Sequence, residues 1–295
     1  MKRKLFSVFL ALAIAFSLVS CGNTESQSEN SETAETTAVS YEGIDFADNP
    51  DYKLVFEDNF DGDKLDKSIW GYEIGFIRNN EPQYYSDREK NVFVKDGKLN
   101  IVAYREAFTA DDGTNANYTS GSINTKKSKS FKYGAIEMRA KLPKSGSPKA
   151  TWPAFWMMGV DEGWPNGGET DILEMYGQHF DKYEANVHWG NDAREHTHLW
   201  DTDGFVPTFV SSDSDLGDQW RTYGVEWTPE FMRFYCDGTT LSQIDITGPD
   251  QAELREQANY ILLNMALQPQ YVEEATDDQF PITYQVDYVR VYQKK

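Results

Sequence analysis

The sequence predicts an all-β protein made of two antiparallel sheets packed face to face. Three observations carry that expectation. Short runs rich in Val, Ile, Phe and Tyr recur between turn signals from about residue 52 to the C-terminus. Aromatic residues fill 14% of the 295 positions, with 8 Trp and 17 Tyr among them, and aromatics favour strands. Only residues 251–257 read as a helix, and neither an internal repeat nor an alternation of strands with helices is present. A sheet must cover its apolar face, and with no helices to do so the cover is a second sheet. An all-β sandwich of roughly 200–250 residues is routinely one domain, so the length does not force a split.

The first segment reads as an address. Met1 to Lys4 is basic, and the apolar run 5–19 is too short to span a bilayer comfortably. It ends in Leu18-Val19-Ser20-Cys21, which resembles a bacterial lipobox with Cys21 as the lipid-modified first mature residue. Residues 1–20 are therefore expected to be a lipoprotein signal peptide, and the mature protein to be anchored to a bacterial membrane facing outward. With Cys21 acylated, Cys236 has no partner and no disulfide framework exists. Residues 21–49 are Ser, Thr, Glu and Asn with little that is apolar, so a flexible tether is expected there. The formal net charge is −20, and losing Lys2, Arg3 and Lys4 takes it to −23. Such a charge repels phosphate backbones and excludes nucleic acid as a natural partner.

The folded domain is expected over 50–295. Strand-like runs fall at 54–56, 91–94, 99–104, 121–125, 135–140, 155–159 and 171–176. They continue at 186–189, 221–228, 231–236, 260–266 and 284–293. Asp96-Gly97, Asn166-Gly167-Gly168 and Asp237-Gly238 are the clearest turns between them. Cys236 ends one such run and reads as a small buried residue.

One run carries unusual chemistry: Gly168-Glu169-Thr170-Asp171-Ile172-Leu173-Glu174-Met175-Tyr176-Gly177. Period two puts Glu169 and Asp171 on one face of a strand, but Glu174, five positions from Glu169, on the other. One extra residue near Ile172-Leu173, a β-bulge, would return Glu174 to the face of the other two. The two Glu backbones would then stand about four strand steps apart, roughly 13 Å. Their side chains can lean inward until the carboxyls are about 5 Å apart, as in glycosidases that retain configuration. Asp171 between them would hydrogen-bond Glu169 and help keep Glu174 protonated by like-charge repulsion. On spacing alone, a plain exposed strand in a very acidic protein remains open.

The context of that run is more specific. The chain resembles glycoside hydrolase family 16, whose bulged members carry Glu-(aliphatic)-Asp-(aliphatic)-x-Glu; here Thr170 replaces the first aliphatic. The resemblance covers nearly all of 54–293. It includes Leu54-Val55-Phe56-Glu57-Asp58-Asn59-Phe60-Asp61-Gly62, the loop Asn79-Asn80-Glu81 with Gln83-Tyr84-Tyr85, and Trp152-Pro153-Ala154-Phe155-Trp156-Met157. Tyr223-Gly224-Val225-Glu226-Trp227 and Val286-Asp287-Tyr288-Val289-Arg290-Val291-Tyr292 follow in family order. The resemblance implies a concanavalin A-like β-jelly roll with a substrate cleft across one sheet, and a retaining endo-β-glucanase in which Glu169, Asp171 and Glu174 are catalytic. It implies β-1,3-glucan of the laminarin type as substrate, with mixed β-1,3/1,4-glucan second, and no cofactor for catalysis.

The resemblance also assigns substrate-binding roles to Trp152, Trp156, Arg78, Asn80, Glu81, His188 and Asn264. Composition alone would place the tryptophans in a core, Asn80 in a turn, Asn264 as a satisfied core amide and the lone His188 in structure. His179, His196 and His198 form no metal-ligand grouping. A structural Ca²⁺ is implied instead, held by carbonyls near Asn59 and Gly97 and by the carboxylate of Asp287. Asn59 departs from the family's usual acid. Leu267-Gln268-Pro269-Gln270 departs from the Gly-Gly that laminarin-cleaving members carry beside the cleft, which touches substrate preference. A monomer is expected. The competing readings are a non-hydrolytic β-glucan-binding lectin-like protein, a transglycosylase and a galactanase of the same fold. The presence of both glutamates argues against the pure binder.

Overall fold

The computed structural model describes residues 43–190, 197–198, 208–211 and 215–295. The lipobox with Cys21, most of the proposed tether, and His196 lie outside the described residues. In chain order the strands begin with β1 (Tyr52–Asp58), β2 (Gly71–Tyr72), β3 (Gln83–Tyr85), β4 (Val92–Lys95), β5 (Lys98–Thr109) and β6 (Asn115–Ser120). Next come β7 (Ser122–Asn124), β8 (Gly134–Lys141), β9 (Thr151–Gly159), β10 (Glu169–Glu174), β11 (Lys182–Trp189) and β12 (Thr197–His198). β13 (Thr208–Ser211), β14 (Arg221–Trp227), β15 (Phe231–Cys236), β16 (Thr239–Asp245), β17 (Asn259–Leu267) and β18 (Ile282–Lys294) complete the described set.

These strands form two sheets. The front sheet runs β12-β11-β10-β9-β17-β7-β2, with β13 also on β11. The back sheet runs β16-β15-β14-β8-β18-β5-β6-β3, with β1 on β18 and β4 on β5. All pairs are antiparallel except β3 with β6. The helix expected at 251–257 is a 3₁₀ turn at Pro249–Gln251 followed by α1 (Glu253–Glu256).

Alternation along each strand decides what lies between the sheets. On β8, Ile136, Met138 and Ala140 point into the main core, where they meet Phe155 and Met157 of β9 and Val187 of β11. Burying each large apolar side chain of this kind contributes about 1.5–3 kcal/mol. The opposite residues of β8 face outward. Ala135 joins Tyr235, Tyr292, Tyr52 and Phe46 in a smaller cluster against which Ile44 packs. Ile44 also donates its backbone N–H to the Gly238 carbonyl at 2.9 Å. Residues 44–46, expected in the tether, therefore belong to the folded body, because two apolar side chains there find an aromatic shelf. Cys236 is a free, buried thiol, as its strand position suggested, and burial pushes its pKa up to about 12.

Candidate active site

The extra residue in β10 is present. Against β9, Asp171 pairs with Trp156 and Leu173 with Phe155, so two steps on β10 answer one on β9. Ile172 and Leu173 both enter the core between the sheets. Glu169 and Glu174 consequently face Met158 and Ala154 on one neighbour, and His188 and Glu184 on the other, four residues apart in each case. Parity is restored, and Glu169, Asp171 and Glu174 line one cleft on the outer face of the front sheet. The turn feeding β10 needs its glycines. Gly168 has φ +69, and a Cβ on Gly159 would lie 2.1 Å from the Gly167 carbonyl oxygen.

The cleft has a volume of about 720 Å³. Burial pushes Glu169 up to about 8, with the charge of Asp171 adding and His188 opposing. Burial also raises Asp171, helped by the charge of Glu174, and raises Glu174 itself. A hydrogen bond joins Asp171 to Glu169, and two carboxyl groups can bond this way only with one proton between them. The trio therefore titrates as a unit holding fewer than three charges. His188 Nε2 stands 3.1 Å from Asp171 Oδ2, an ion pair whenever the imidazole is protonated. Trp152 Nε1 donates to Glu174 Oε1 at 2.9 Å, and the Trp152 ring lies 5.6 Å from that of Tyr176. The indole of Trp164, half exposed at the cleft rim, hydrogen-bonds Glu169. Glycosidic cleavage needs one carboxyl ionised for attack and another protonated for transfer, and a trio that shares its protons can supply both.

The flanking residues divide into two layers. Trp152, Trp156, Arg78 and His188 line the cleft. Asn80, Glu81 and Asn264 do not. Asn79 and Asn80 adopt φ of 55° and 52°, so the Asn pair makes a left-handed turn, which Asn tolerates. Glu81 is turned inward and accepts from Gln83 Nε2 at 2.7 Å and the Tyr85 hydroxyl at 3.0 Å. Asn264 donates to that same hydroxyl at 3.1 Å and accepts from Trp156 Nε1 at 2.7 Å. Glu81, Tyr85 and Asn264 thus form a buried chain that fixes the Trp156 ring from beneath. Arg78 lies over that ring at 4.9 Å while bonded to Glu73.

Glu184, Asn186, Tyr176 and Tyr260 also line the cleft, although the sequence does not single them out. Alternation back from His188 points to Asn186 and Glu184, the second of them ahead of the strand-like run at 186–189. Residues 267–270 do not line this cleft. Leu267 and Gln268 are buried, and Gln268 donates its backbone N–H to the Ala150 carbonyl at 2.7 Å.

The residues implied for calcium do not fit the ion. Lys98 Nζ bonds Asp287 Oδ1 at 2.6 Å and reaches the Gly97 carbonyl at 3.3 Å. Arg139 takes the second Asp287 oxygen, and Asn59 Oδ1 accepts from Arg290 at 3.1 Å. An ammonium already engages two of the three expected ligands, and a carboxylate paired with two cations is a poor ligand for a third. Among the described residues no group of three or more His, Cys, Asp or Glu could hold a metal.

Comparison places this geometry among known proteins. Residues 54–294 match the family profile described as "Beta-porphyranase A-D, GH16 domain". The glucan endo-1,3-beta-glucosidase A1 of Niallia circulans is 31% identical over 274 residues, 82% of this chain and 38% of that protein. The beta-glucanase of Rhodothermus marinus is 32% identical over 270 residues, 85% of this chain and 88% of that protein. The crystal structure of a non-specific endo-beta-1,3(4)-glucanase from family GH16 superposes with TM-score 0.73 at 31% identity, over 84% of this chain and 93% of that one. The chain spans 38% and 34% of the length of two of the curated relatives it matches.

Proposed function

Since the chain belongs to glycoside hydrolase family 16, we propose that it is a retaining endo-β-glucanase that cuts internal β-1,3 linkages of laminarin-type glucans and, second, mixed β-1,3/1,4-glucan. The observation that supports this best is the extra residue in β10, which brings Glu169, Asp171 and Glu174 into one cleft beside Trp152 and Trp156. A carboxylate oxygen of Glu169 bonds to the anomeric carbon as the glycosidic C–O bond breaks, and Glu174 gives its proton to the departing oxygen. Water then adds to the anomeric carbon, the Glu169 ester bond breaks, and the proton of water passes to Glu174. Trp156, held from below by Asn264 and covered by Arg78, forms part of the cleft lining beside the acids.

A second reading has its own support: the matching profile is that of β-porphyranases, so porphyran is the rival substrate. Chromatography of products from laminarin, mixed-linkage glucan, agarose and porphyran decides between them. Mid-sized oligosaccharides from laminarin are expected early in the reaction. Activity confined to porphyran or agarose would overturn the glucan assignment. Products longer than an oligosaccharide substrate would mark transglycosylation. The motif ending in Cys21 supports attachment to the outer face of a bacterial membrane, which fractionation of the native cells checks.

A further inference from the structure

β11 presents three polar residues in alternate positions to the cleft, Glu184, Asn186 and His188, while Tyr183, Ala185 and Val187 enter the core. Of the three, Glu184 is the Cα partner of Glu174. Glu174 is the acid in the proposed reaction, so the residue across from it is placed beside the sugar that departs. Glu184 is 8% exposed and stands on the neighbouring strand, where its charge reaches Asp171. We propose that Glu184 is a specificity-determining residue: it hydrogen-bonds hydroxyls of the departing sugar and turns away sugars that carry an anionic substituent there.

The charges around it favour this. Glu73, Glu169, Asp171, Glu174 and Glu184 all line the cleft, against Arg78 and His188. Arg78 is engaged by Glu73 and lies over Trp156, and His188 faces Asp171. A sulfated or uronic sugar beside Glu184 would want a cation of the kind that binds sulfate or carboxylate tightly, and the described lining offers an acid instead. Burial, with the charge of Glu174 adding, pushes Glu184 up to about 7. Below that pH the group donates as well as accepts, which suits a neutral sugar hydroxyl. Above it the carboxylate repels an anion directly.

The assignment rests on the hydrolytic reading above, and the test keeps the two apart. Full-length wild type and Glu184→Gln are assayed on laminarin and on laminarin bearing chemically introduced sulfate groups. Melting temperatures serve as a check on folding, and Glu184→Asp serves as a second variant should Gln fail to fold. The wild type is expected to favour the neutral glucan. Glu184→Gln should raise KM on laminarin several-fold with kcat little changed, and narrow the neutral-to-sulfated ratio of kcat/KM about tenfold. In Glu184→Asp the preference for the neutral glucan should persist. A folded Glu184→Gln with the wild-type KM and ratio would overturn the assignment while leaving hydrolysis intact. If Gln does not fold, an Asp variant that has lost the preference would do the same. A wild type inactive on both polymers would overturn the hydrolytic reading, and this assignment with it.

Discussion

Asp171 is the residue on which the electrostatics turn. It is buried between the two glutamates, bonded to Glu169 and 3.1 Å from His188. A negative neighbour makes ionising Glu169 harder and so raises its pKa; removing that charge lowers it. Asp171→Asn keeps the shape and a donor for Glu169, so the acidic limb of the kcat/KM profile should move to lower pH. The same change should lower kcat by about 100-fold, the lower end of what a lost acid–base partner costs. An acidic limb that stays in place or moves upward would remove Asp171 from this role. The three acids were legible in the sequence because their spacing conflicts with strict alternation, and the conflict itself called for a bulge. Glu81 and Asn264 were legible only as residues near a cleft. Their place beneath Trp156 depends on side chains arriving from β3 and β17, which no local pattern records.

At the scale of elements, β10 carries the function through one surplus residue. Deleting Ile172 restores alternation and turns Glu174 towards the core, where an ionised carboxyl is costly. Activity should fall at least a thousandfold, and the variant should melt below the wild type. Ile172→Ala separates shape from count: it keeps the bulge and activity within a few-fold, but costs about 2–5 kcal/mol of stability. A folded deletion variant with near wild-type activity would show that the bulge does not place Glu174. The long alternating runs of β8, β14, β15, β17 and β18 were readable from their sequence. β6, with the run Asn-Ala-Asn-Tyr-Thr-Ser, was not, because its polar residues carry no apolar signal of their own. β3 is three residues long and exists through its parallel partner β6.

For the whole molecule, two sheets hide an apolar core and leave one face of the front sheet for acids and aromatic rings. The architecture was readable because the chain offers little helix to cover a sheet. The back-sheet residues implied for calcium carry an internal cation instead, because Lys98 adjoins Gly97 and pairs with Asp287, a pairing visible only once β5 and β18 lie side by side. The overall negative charge and the acid-lined cleft both suit a neutral polysaccharide. The central claim is that Glu169 attacks and Glu174 transfers the proton, and one measurement addresses it most directly. Glu169→Ala and Glu174→Ala are each supplied with azide and an activated glucoside substrate, and the anomeric configuration of the azide product is read by NMR. Glu174→Ala should give a β-azide, because the covalent intermediate still forms and azide resolves it. Glu169→Ala should give an α-azide, because the small nucleophile enters from the vacated face. A β-azide from the Glu169 variant, or an α-azide from the Glu174 variant, would contradict the assignment.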